Sequence, residues 1–152
     1  MIKFIYRLFR FAFITVLGTA VIAKLVLRST ATEQTQEIDL VSIFGGEHLV
    51  SSADPFFGGK ITNLFGGTIL DLRKATPAPT GIYIDVLVVF GGLSLVVPNG
   101  WRVVFDGTAF GGGFDDATQI ATDPDAPILR IGGLVVAGGI RATTRSSVEP
   151  VA

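Results

Sequence analysis

The sequence predicts a mainly β fold, a solenoid of stacked parallel strands, preceded by one hydrophobic α-helix. Three observations lead there. An apolar run near the start is bracketed by basic residues; glycine doublets recur at near-constant spacing, and apolar residues alternate between the doublets. The 152 residues leave room for one domain and an anchor. With 49% hydrophobic and 16% charged residues, the chain has the opposite of a disordered composition.

Residues 1–28 hold five basic side chains (Lys3, Arg7, Arg10, Lys24, Arg28) and no acidic one. Residues 29–152 hold seven basic and thirteen acidic side chains, 7 − 13 = −6. So acidic a remainder repels a phosphate backbone, which excludes nucleic acid as a partner and leaves lipid for the basic end. From Phe11 to Leu27 the only charge is Lys24. As a helix this run spans about 25 Å, slightly short of a bilayer core, and snorkelling basic ends let residues 4–28 make up the difference. A cleaved signal peptide is the weaker reading, because Lys24 stands where a small-residue site belongs. A helix lying in the membrane plane is weaker too, because Ile14, Leu17 and Val21 fill the middle of its basic face. Three basic residues before the run and two closing it favour a single pass through the cell membrane with the β-domain outside.

Residues 29–37 are a polar linker, residues 38–141 the β-domain and residues 142–152 a polar tail. Within the domain the doublets are Gly45-Gly46, Gly58-Gly59, Gly66-Gly67, Gly91-Gly92, Gly111-Gly112, Gly132-Gly133 and Gly138-Gly139. The series Gly45, Gly66, Gly91, Gly111, Gly132 advances by 21, 25, 20 and 21 residues. A constant advance is what one coil of a β-helix requires, and it gives about five coils. The longest step contains KATPAPTG, read as a protruding loop. Ile82, Ile84, Val86 and Val88 alternate with Tyr83 and Asp85, and Leu93, Leu95 and Val97 continue the pattern. Each doublet forms a corner, with the preceding Phe expected to anchor it in the core. Pro98-Asn99-Gly100 and Asp106-Gly107 mark further turns. The anchor and linker are expected to cover one end of the stack and the polar tail the other. A β-sandwich is the competing architecture, since short strands with glycine turns also describe it.

Little here assembles chemistry. The chain has no cysteine and one histidine, His48, read as an exposed strand-edge residue. Asp115, Asp116, Asp123 and Asp125 form an acidic cluster that Ca²⁺ binding or a carboxylate pair would use, but turn chemistry in a solvated loop is the stronger reading. No glycine pair precedes the Lys-Ser/Thr of a phosphate loop. Trp101 and Arg102 are the candidate partner-binding residues, able to stack on a sugar or a partner, although a turn-exit Trp more commonly covers the core. No cofactor, metal site or enzymatic activity is expected.

The segments FFGGKITNLFGGTILDLRKA, IDVLVVFGGLSLVVPNGWRVVFDGTAFGGG and DAPILRIGGLVVAGGIR together resemble the C-terminal domain of LiaF-type cell wall-active antibiotics response proteins. The resemblance covers about residues 38 to 141 in order. It implies a right-handed parallel β-helix without catalytic activity, in bacterial membrane proteins of envelope-stress signalling, where a LiaF-type protein restrains a sensor histidine kinase. Typical members carry several transmembrane helices, and this chain has room for one. The expected function is therefore a membrane-anchored interaction module binding a protein partner in the membrane. The alternatives are a self-associating scaffold similar to the bactofilins, hence a homo-oligomer, and a carbohydrate-active enzyme.

Overall fold

The computed structural model describes residues 32–119 and 121–144. The anchor at 1–28, the start of the linker and most of the tail lie outside the described residues. Within them the chain is almost wholly β: β1 (Glu37–Val50), β2 (Gly58–Asp71), β3 (Ile82–Val89), β4 (Gly92–Val96), β5 (Arg102–Phe105), β6 (Thr108–Phe110), β7 (Gly113–Ala117), β8 (Ile128–Val136) and β9 (Gly139–Thr143). Every strand pairing is parallel. This is a coiled, solenoid-like sheet and not two sheets in a sandwich.

The long strands β1 and β2 each run through a bend, so that the first half of β2 pairs with β3 and its second half with β4. Two faces result, joined at the Phe-Gly-Gly segments. Inward positions form ladders: Ile84 stands beside Ile131, and Leu70 beside Leu95, which stands beside Ala142. All of these are fully buried. Each buried aliphatic side chain adds about 1.5–3 kcal/mol of hydrophobic stabilisation before the entropy of ordering is set against it. At the bend of the second layer Asn63 Nδ2 donates to the Gly92 carbonyl at 2.9 Å, and Thr68 Oγ1 donates to Asn63 Oδ1 at 2.7 Å. This buried pair ties one layer to the next.

The layers do not stack in chain order. β8 pairs with β3 on one side and with β5 and β6 on the other, and β9 lies between β4 and β7. The spatial order is 37–50, 58–71, 82–96, 128–143, 102–117. The last coil is inserted between the third and fourth, so the steady 20- and 21-residue advances at the end of the glycine series do not correspond to one-layer steps. The end of the stack is consequently 102–117 and not the coil that leads into the tail. Phe105 and Phe114, inward positions of this end layer, stack at 5.3 Å between centroids and close the interior.

The glycines show why the corner is built as it is. A Cβ on Gly66 would collide with the carbonyl oxygen of Gly45, one on Gly91 with that of Gly66, one on Gly138 with that of Gly91, and one on Gly112 with that of Gly138. The column is therefore 45, 66, 91, 138, 112, with Gly112 where Gly111 was expected and Gly138 where Gly132 was expected. Gly132 and Gly133 lie within β8, in register with Asp85 and Val86, and Gly58 and Gly59 lie within β2 against Tyr83 and Ile38. These four serve close approach between layers away from the corner.

Two further expectations are corrected. KATPAPTG does not protrude, because Ala75 and Ala78 are buried and the Phe56 N–H donates to the Thr76 carbonyl at 2.8 Å. The Phe residues of the doublets are not core anchors, since Phe44, Phe57, Phe65, Phe90 and Phe110 are all among the exposed large hydrophobics. Carbonyls already fill the inside of the corner, so a ring placed there has only the outside to occupy.

Truncation after Ala126 removes the inserted coil and leaves β5, β6 and β7 without a strand to pair with. Hydrogen exchange is expected to show loss of amide protection across 102–117, while 37–96 stays protected. Gly66→Ala should lower stability by about 2–3 kcal/mol in chemical denaturation, because backbone must shift. Gly67→Ala, whose Cβ would meet nothing closer than the Gly92 carbonyl oxygen at 3.8 Å, should change it by less than about 1 kcal/mol.

Candidate interaction surface

Because side chains alternate along each strand, the parallel register turns outward positions into columns running across the layers. Phe44 and Phe65 stack with centroids 5.4 Å apart, and Phe65 and Phe90 follow at 5.5 Å, with planes inclined by 10° and 4°. Backbone hydrogen bonds continue this column to Ala137 and then Gly111, since the Phe90 N–H donates to Val136 and the Ala137 N–H to Phe110. The column thus carries three rings followed by two positions without one. Phe110, 63% exposed, projects beside the empty end.

On one side of the rings lies a column of glycines, Gly46, Gly67, Gly92, Gly139 and Gly113. They floor an open groove whose far side is formed by His48, Ile69, Ser94, Arg141 and Asp115. On the other side runs Ile43, Leu64, Val89, Val136 and Phe110, and beyond it Val41, Thr62, Leu87, Leu134 and Thr108. The rings therefore sit in the middle of a strip that bears no charge over the full length of the stack. Stacked face to face, they offer mainly edges to solvent. Pyranose rings stack on aromatic faces, so the ladder suits an apolar protein surface better than a sugar.

Phe90 and Ala137 adopt φ of 51° and 49°, the left-handed region. That conformation costs an L-residue about 1–2 kcal/mol, which glycine would avoid. Phe90 is nevertheless 58% exposed, so core burial does not offset the cost. Stacking on Phe65 recovers part of it.

The residues singled out from the sequence are placed differently. Trp101, at 5% exposed, belongs to the hydrophobic core, and only Arg102 of that pair faces solvent, its Nη2 donating to the Asp123 carbonyl at 3.4 Å. His48 is exposed on the groove wall. Asp115 and Asp116 are neighbours on β7 and point to opposite faces. Asp115 accepts from Arg141 Nε at 2.8 Å, whereas Asp116 accepts from the Thr118 backbone N–H and hydroxyl. Asp123 accepts from the Asp125 N–H at 2.9 Å, an Asx turn. Among the described residues no group of three or more carboxylate or imidazole side chains is arranged to hold a metal ion, and no helix is long and apolar enough to cross a membrane.

Among the described residues one carboxylate is buried. Asp71 accepts from Arg73 through Nε at 3.0 Å and Nη2 at 2.8 Å, and from the Arg73 backbone N–H at 3.0 Å. Burial opposes its charge, but the hydrogen bonds and charge of Arg73 outweigh that, with a smaller contribution from His48, and the pKa falls below the ordinary carboxylate value. A depressed pKa supplies stability above the unfolded value of about 3.9 that is lost as pH falls through the lower folded value. Asp71→Asn should therefore be less stable than the parent at pH 7, and the difference measured by denaturation should shrink below about pH 4.

A scan against family models found no match to this chain, and searches of curated proteins and of solved structures found none either.

Proposed function

We propose that this chain is a membrane-anchored, non-catalytic interaction module of the bacterial cell envelope. In this reading it acts in stress response or signalling and binds a membrane partner such as a sensor kinase through the phenylalanine ladder. The observation that carries it is Phe90: an exposed ring held in a left-handed backbone conformation, in the middle of an uncharged strip. Folding alone favours glycine there, so the ring is kept for contact. The resemblance over residues 38 to 141 supports the envelope role and a right-handed winding. The basic, apolar N-terminal segment supports a single-pass anchor with the β-domain outside.

A self-associating scaffold built end to end is the second reading, favoured by the outer edges of β5 and β7, which pair on one side only. Asp116 stands against it. It continues the inward ladder through Ala142 in the end layer, and a charge at an inward position discourages another coil from docking.

Phe90→Gly separates folding from binding. The variant is expected to melt within a few degrees of the parent, because relief of the left-handed strain offsets the lost stacking. Photo-crosslinking in native membranes from a reactive residue at 65 should capture a partner protein in the parent and lose it in the variant. Unchanged capture would remove the ladder from the interface.

A further inference from the structure

Read along the stack, the ladder is ring, ring, ring, methyl, hydrogen: Phe44, Phe65, Phe90, Ala137, Gly111. A ridge of three rings and a recess two layers long lie end to end in one column, with Phe110 bordering the recess. Turning a second copy by a twofold axis that runs in the contact plane and across the ladder, between the third and fourth layers, sets the two ladders antiparallel. Phe90 of each copy then meets Ala137 of the other, and Phe65 meets Gly111. The adjoining column, Ile43, Leu64, Val89, Val136 and Phe110, sets Val89 opposite Val136 and Leu64 opposite Phe110 in this register, and the column beyond it sets Leu87 opposite Leu134 and Thr62 opposite Thr108. One column further out, Lys60 comes level with Asp106 of the second copy, an opposite charge repeated by the symmetry. A parallel arrangement instead sets ring against ring and leaves both recesses empty.

We propose that the ladder is an isologous interface, and that its occupant is the ladder of a second copy of this chain. This deepens the interaction-module reading and rests on it: the homodimer and any other partner compete for one face. A lipid surface fits less well, because residues 29–152 carry a net charge of −6. The uncharged strip is about 19 Å long, from four layer steps, and about 17 Å wide, from five residues along the strand. That is well below the roughly 800 Å² per partner of a stable complex. Pairing is therefore weak in free solution and depends on copies concentrated by a shared membrane anchor.

The chain has no cysteine, so single introduced thiols report the register directly. Full-length Phe65→Cys and Phe110→Cys chains carrying different tags are co-expressed, and membranes are oxidised. A disulfide joining the two tags is expected. It should be lost when either chain is present alone, since identical thiols then stand three layers, about 14 Å, apart. Adding Ala137→Phe to both chains extends the stack by a fourth ring and fills the recess; it should abolish the crosslink without lowering the melting temperature. Crosslinking of Phe65→Cys with itself, or crosslinking indifferent to Ala137→Phe, overturns the antiparallel pairing. With no crosslink in any combination, self-pairing falls. Capture of a different protein from position 65 would then leave the interaction module standing, and capture of nothing would remove both.

Discussion

Backbone meeting backbone at the corner governs this molecule. The glycine carbonyl of each layer occupies the place where the next layer's Cβ would be, through Gly45, Gly66, Gly91, Gly138 and Gly112. The turn can be this tight only if every coil brings glycine to the same spot. Asn63 and Thr68 bridge the bend from inside in the second layer, and Ser42 Oγ donates to the Gly45 carbonyl at 3.2 Å in the first. With the inside filled, bulk at the preceding position goes outward.

The phenylalanines are thereby sorted by location. Phe56 is fully buried, and Phe105 and Phe114 close the interior at the end layer. Those at the corner form an external ladder whose members shield one another only in part. Exposed apolar surface costs solubility wherever it is not covered, and a contiguous strip of it is the ordinary mark of a contact surface. Both functional proposals draw on that strip.

The sequence carried much of this fold. The repeat, the alternation and the parallel coil were readable because inward residues recur at steps of two and doublets at steps near 21. The exposure of the rings was also encoded, in a step of five. Inward residues on the two sides of each corner are Asn63 and Thr68, Val88 and Leu93, Val135 and Ile140. An odd step breaks the alternation between them, so extending it from Val88 puts Phe90 inside, whereas counting back from Leu93 does not. The layer order left a fainter trace. Spacing constrains how far the chain advances and says nothing of which neighbour a coil meets, and the coils beginning at 102 and 128 are similar enough to stack either way. Trp101 shows a related limit: a lone aromatic after a turn carries no periodic neighbour to fix its side, and the structure has the commoner outcome, a Trp covering the core.

The inserted coil gives the stack a seam. An ordinary solenoid can zip up from its first turn, each new coil docking on the one just made. Here residues 102–117 precede in the chain the strands they lie against, so they can dock in native register only once 128–143 lies between them and the third layer. The edge of β3 and β4 is open during that interval, which is the period when a foreign strand has its best opportunity to enter the fold.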